Sequence, residues 1–226
     1  MPKTFNLLKR LSHSKERFLI LMGLMMALLV LGPILEQFVA IRKLIDVFLT
    51  LIVLSMLYTI TRKKRVYYFG WLLASIMVLS LWLKYFISPD VFATASMLAG
   101  AFFTLVVTSQ TLQFILSSKT VTREVVYAAM LVYFLLAQLW AMVYTFLDRI
   151  DPASFNLPGG QGDFLLFEYY SFVTLTTLGY GDITPLGKVA KAFSVLEAVV
   201  GQLYLVVVVA WFVGMLVARR SDSSNK

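Results

Sequence analysis

Six apolar stretches of membrane-spanning length, separated by charged or turn-forming residues, organise this chain. They cover residues 18–38, 44–60, 66–87, 91–116, 125–147 and 189–218. About 20 mostly apolar residues make a helix long enough to cross the hydrocarbon core of a bilayer, so each stretch predicts a spanning helix, the second being the shortest. Gly32-Pro33 is expected to kink or end the first. Most connections are short. The exception, 148–188, contains Pro158-Gly159-Gly160 and Gly162. After those breakers comes an apolar run over 164–175, too short to span, which predicts a re-entrant helix over 164–174. Such a helix is tolerated only where protein or a water-filled cavity surrounds its end.

Composition fixes the class. Of 226 residues, 60% are hydrophobic and 14% charged, with mean hydropathy +0.83. Soluble domains carry about 45–50% apolar and about 25% charged residues, so a water-soluble globule is excluded, as is disorder. The fold class is all-α integral membrane protein. The basic N-terminus (Lys3, Lys9, Arg10, Lys15, Arg17) resembles a signal n-region, but the apolar run after it is too long and no small-residue cleavage site ends it; it reads as a retained first span. There is no cysteine and one histidine, His13, which excludes disulfides, thiolate metal sites and multi-histidine sites.

The net charge of +8 becomes informative once the spans are drawn. With the N-terminus inside, fourteen of the 20 Lys and Arg residues fall on inner segments, including Arg62-Lys63-Lys64-Arg65, and six fall outside. This is the positive-inside asymmetry, and it takes the place of a nucleic-acid reading. Tyr67, Tyr68 and Trp71 at inner span ends, and Trp82, Tyr85, Trp140 and Tyr144 at outer ones, fit interfacial belts. The Arg62–Arg65 run either attracts anionic lipid head groups or serves only as a topology determinant.

Directly after the short helix stands Thr174-Leu175-Thr176-Thr177-Leu178-Gly179-Tyr180-Gly181-Asp182. A dehydrated cation needs several oxygens in place of its water, so successive backbone carbonyls must face one axis. An extended strand alternates them; some residues must therefore take backbone angles of the opposite hand, which glycine does at little steric cost. Gly179 and Gly181 sit at alternate positions, as that geometry requires. The segment resembles the potassium channels, whose signature is TVGYG, with Leu178 in place of the valine. The resemblance covers the last hundred or so residues well and the first four spans only in number and layout.

The resemblance implies K⁺ held by the carbonyls of Thr177, Leu178, Gly179, Tyr180 and Gly181, with the Thr177 hydroxyl at the inner end and Tyr180 packed outward. It implies no cofactor and no enzymatic activity. One chain supplies one filter loop, so a closed ring needs several chains, and the resemblance implies a fourfold homotetramer. The layout is a four-helix membrane domain over 1–120, a pore domain over 121–220 and a polar tail over 221–226, with both termini cytoplasmic, in a plasma membrane of prokaryotic type. No room remains for a cytoplasmic sensing domain, so gating is expected from the membrane domain, lipid, pH or a partner. Voltage-gated relatives carry arginines in the fourth span. Here that span has no Lys or Arg, and each charge crossing the field supplies about 2.3 kcal/mol per 100 mV, so little or no voltage dependence is expected. Two other readings stand beside the K⁺ channel: a non-selective cation pore, which the retained Tyr180 disfavours, and a non-conducting subunit of channel-like fold.

Around the filter, Thr176 and Asp182 are expected to support it, with Asp182 paired to Tyr169 or Tyr170, where related channels often place tryptophans. Glu197, in the outer half of the sixth span, is expected to hydrogen-bond behind the filter and brace it, against the alternative of facing solvent. Glu168 is expected near the outer water interface. Gly201 is either an inner-gate hinge or a close-packing contact against the pore helix. Ala210, Gly214 and Ala218, spaced by four, suit a crossing of inner helices or a passive packing face. Thr108, Ser109, Gln110, Thr111 and Gln113 in the fourth span suit interhelical hydrogen bonds, or a ligand or lipid site.

Overall fold

The computed structural model describes residues 17–36, 42–59, 64–83, 89–157, 160 and 162–224. The basic N-terminus through Lys15, His13, Arg62, Lys63, Lys84, Tyr85, Pro158 and Gly159 lie outside the described residues. So do the side chains of Arg42, Lys43, Lys64, Arg65, Asp90 and Ala218.

Seven helices form among the described residues: α1 Arg17–Glu36, α2 Arg42–Thr59, α3 Lys64–Leu83, α4 Pro89–Ser117, α5 Arg123–Ile150, α6 Phe164–Leu175 and α7 Lys188–Ser224. Two short strands, β1 Phe155–Asn156 and β2 Thr184–Pro185, pair antiparallel with Phe155 opposite Pro185 and Asn156 opposite Thr184. Three helical segments are long and apolar enough to cross a membrane: Thr94–Ser117, Arg123–Ile150 and Lys188–Val217. Helix α1 is not ended by Gly32-Pro33. It runs on to Glu36, because the proline falls in its last turn, where few backbone bonds remain to be lost.

The chain divides into two compact units. The first comprises the chain through Ser117 and Arg123–Phe134. Within it α1 packs on α2 and α3 on α4, burying Phe18, Leu21, Met25, Ile52, Met56 and Phe103. Arg17 stands over the rings of Phe18 and Phe114 at 4.6 and 5.5 Å and pairs with Glu124 at 3.2 Å. The hydroxyl groups of α4 do not bridge helices as expected. Thr108, Ser109 and Thr111 donate to the carbonyls of Thr104, Val106 and Val107 of their own helix, at 2.7 to 2.8 Å. A short side chain in an apolar helix reaches its own preceding turn more readily than a neighbour.

The second unit, Ser118–Thr122 and Leu135–Lys226, holds the candidate site. Its core is aromatic: Tyr144, Phe155, Phe167 and Tyr170 meet with ring centroids 5.0 to 6.4 Å apart, joined by Ala141, Ile183 and Ala190. Tyr144 is fully buried rather than interfacial; its ring is enclosed by this cluster and its hydroxyl is satisfied by Glu197. The segment before α6 and the segment after the 177–181 run are pinned together. Besides the strand pair, the Ser154 carbonyl accepts from the N–H groups of Leu186 at 2.8 Å and Gly187 at 3.1 Å.

Candidate functional site

Helix α6 begins where the sequence stops breaking helices. Asp163 caps it, its side chain accepting from the Leu166 N–H at 2.8 Å. It ends at Leu175 with Thr176 as the C-cap, the Thr176 hydroxyl returning to the Phe172 carbonyl at 2.6 Å. The chain then turns back along the helix end. The N–H groups of Leu178 and Gly179 both donate to the Val173 carbonyl, at 2.9 and 3.3 Å, and Thr177 N–H donates to Thr174 at 3.0 Å.

From there the backbone alternates in hand. Thr177, Gly179 and Gly181 have φ of +60°, +61° and +81°. The glycines were legible in the sequence. Thr177 was not: it is the one positive-φ residue other than glycine among the described residues, and β-branched, so the conformation is held against a steric penalty. Leu178 and Tyr180 lie between them and are exposed within the single chain. Among the described residues, no carbonyl from Thr177 to Tyr180 accepts a hydrogen bond. Those groups lie in a segment exposed within the single chain, where their lone pairs are open to partners outside it.

The loop is tied back to α6 and α7. Tyr169 donates its hydroxyl to Asp182 Oδ2 at 2.7 Å, and Asp182 Oδ1 accepts the Ile183 N–H at 3.1 Å. Tyr170 turns the other way, meeting Ser194 Oγ at 2.7 Å inside the aromatic core. Glu197 does not face solvent; it is fully buried. Its Oε2 accepts from Tyr144 at 2.6 Å, and its Oε1 is hydrogen-bonded to Ser171 Oγ, which also lies 2.8 Å from the Ala137 carbonyl. Three helices therefore meet at one carboxyl. Two of its partners, Tyr144 and Ser171, escape a reading by motif. Their one sequence signal is a polar group inside an otherwise apolar helical run.

One turn further along, Gly201 is buried against the end of α6. A Cβ there would stand 2.6 Å from the Leu175 carbonyl oxygen and 2.8 Å from Leu175 Cδ1. Contacts 170–194, 171–197 and 175–201 thus follow one another in parallel register along α6 and α7. Gly214 has nothing within 4 Å of the corresponding position, and Ala210 is exposed. Helix α7 is continuous past both glycines.

Glu168 departs from expectation. Rather than facing outer water it is 2% exposed, with Oε2 unpartnered among the described residues. The start of α6 at Phe164 puts it on one face with Leu165, Ser171 and Leu175, all buried. No group of three or more His, Cys, Asp or Glu side chains suited to a metal occurs among the described residues; residues 177–181 are exposed within the single chain.

No curated protein and no solved structure matches this chain. Residues 121–218 match a family model described as ion channel. That span contains α5, α6, the alternating backbone segment and most of α7, so this part of the chain is similar to ion channels, which are membrane-embedded conduits and not enzymes.

Proposed function

We propose that the chain is one subunit of a homotetrameric, K⁺-selective channel in a plasma membrane of prokaryotic type. In this reading it has six membrane helices, with α6 re-entrant between the last two and both termini cytoplasmic. Residues 1–120 form a four-helix membrane domain and 121–220 the pore. The observation that carries the reading is the run of positive φ at Thr177, Gly179 and Gly181 together with the unbonded carbonyls between them. Alternation of hand turns successive carbonyls toward a common side. Four such loops around an axis offer stacked rings of oxygens, which replace the hydration shell of K⁺ without a cofactor.

Several features fit four copies around a pore. Leu178 and Tyr180, and most of α7, are exposed in one chain, where an apolar surface awaits either lipid or a second subunit. The C-terminal end of α6 carries partial negative charge, which favours a cation beneath the filter. Helix α4 has no Lys or Arg, so the pore opens with little help from the membrane field.

The test is flux from liposomes containing purified protein. K⁺ efflux well above Na⁺ efflux is expected. Equal fluxes would indicate a non-selective cation pore, and no flux a non-conducting subunit.

A further inference from the structure

The hydrogen count around Glu197 does not close if its carboxyl is charged. Ser171 owns one hydroxyl proton, yet its Oγ lies 2.8 Å from the Ala137 carbonyl and is also hydrogen-bonded to Glu197 Oε1. The carbonyl has no proton to give. If Glu197 were a carboxylate, it would take the Ser171 proton, and two lone-pair-bearing oxygens, Ser171 Oγ and Ala137 O, would face each other with no hydrogen between them. A proton on Oε1 resolves this. Tyr144 then donates to Glu197 Oε2, Glu197 donates to Ser171, and Ser171 donates to Ala137, so every hydrogen has one acceptor.

The surroundings agree. From α5 the group facing Glu197 is Tyr144. From α6 they are Ser171 and Tyr170, and from its own helix Ser194, whose proton goes to the Ala190 carbonyl at 2.8 Å. No basic side chain is within ion-pair distance among the described residues. A fully buried carboxylate with no cation carries a large desolvation penalty, which a neutral acid avoids.

We propose that Glu197 carries a proton in the working channel and acts as a positioning residue, a neutral acid that joins α5, α6 and α7 behind the filter. This rests on the reading of the chain as a pore. It adds that the group holding the filter's supporting helix is a hydrogen-bond donor, not a counter-charge. Glutamine reproduces the protonated acid, with one donor face and one acceptor face; leucine reproduces only its volume.

The experiment combines infrared difference spectra at neutral pH with flux, on full-length protein in liposomes. Wild type minus Glu197→Gln is expected to show the carbonyl stretch of a protonated carboxylic acid. Taking that difference separates Glu197 from the other buried carboxyls, Asp46, Asp148 and Glu168. Glu197→Gln is expected to retain selective K⁺ flux. Glu197→Leu is expected to lose about tenfold, as the orphaning of buried Ser171 and Tyr144 hydroxyls implies. A difference spectrum showing carboxylate bands instead, or a glutamine variant as impaired as leucine, would overturn the proposal. If wild type shows the protonated band but passes no K⁺, the pore reading fails while the protonated joint stands.

Discussion

Gly201 of α7 lies directly against the carbonyl of Leu175, the last residue of α6, so closely that a single added carbon would stand 2.6 Å from that oxygen. The contact places α7 on the end of the helix from which the 177–181 segment departs. In the proposed pore, displacement of α7 at this level bears on the first residues of the filter. The sequence left Gly201 as hinge or packing residue, and the close approach explains why glycine is needed here whichever way the helix moves.

Gly201→Ala is therefore expected to be damaging although alanine favours helix. Backbone cannot retreat as a flexible side-chain end can, and overpacking of this kind costs about 1–3 kcal/mol. Gly214→Ala, where nothing lies within 4 Å, is expected to be neutral or to stabilise by up to about 1 kcal/mol. Thermal unfolding of the two purified variants side by side, with K⁺ flux, checks this; equal behaviour would show that the contact is unimportant.

At the joint on Glu197, Tyr144→Phe removes the donor to Oε2 in a fully buried site and is expected to destabilise by about 1–3 kcal/mol. Tyr170→Phe leaves Ser194 still bonded to the Ala190 carbonyl and is expected to cost less, about 1 kcal/mol. Ranking the unfolding midpoints of the two variants tests the order.

The Tyr169–Asp182 bond lies at the protein surface, so its loss is expected to shift global stability by about 1 kcal/mol or less. Its effect is local, since it tethers the outer end of the filter segment. Tyr169→Phe and Asp182→Ala are each expected to make K⁺ current decay faster during sustained opening. The double variant should add nothing beyond Asp182→Ala, which removes this bond together with the one from the Ile183 N–H. Single-channel recordings in planar bilayers read this directly.

In the filter segment, Gly179→Ala and Gly181→Ala each force a Cβ into positive φ, about 1–2 kcal/mol per residue. Both are expected to abolish the K⁺ preference in paired K⁺ and Na⁺ flux measurements. Thr177→Gly separates backbone from side chain. It relieves the strain at φ +60° and so is expected to leave stability intact, while removing the hydroxyl oxygen and lowering K⁺ flux. Unchanged flux would show that the hydroxyl plays no part.

Open probability measured across a range of voltages is expected to stay nearly flat, because α4 carries no Lys or Arg. A steep activation curve would require charge movement from another part of the chain.

Much of this protein is legible one segment at a time. Apolar runs set the helices to within a few residues, since spanning length and helical hydrogen bonding are local demands. The glycines of the 177–181 segment announce their backbone hand, and the lack of Lys and Arg in α4 needs no structure to be seen. Asp182 was legible as a partner of one of two adjacent tyrosines, but not of which.

What the tertiary structure decided depends on how helices are rotated and aligned against each other. Neighbouring residues of α6 point different ways, so Tyr169 reaches Asp182 while Tyr170 reaches Ser194. The same rotation buries Glu168, which its place early in the short helix put at the outer water interface. It also makes Ser171 the meeting point of Ala137, from 34 residues upstream, and Glu197, 26 residues downstream. Thr177 takes a glycine-like angle because its neighbours on α6 hold the turn, not because of its own preference. A sequence states which groups can bond. Packing chooses the partner, and with it where the protons of a buried carboxyl must be.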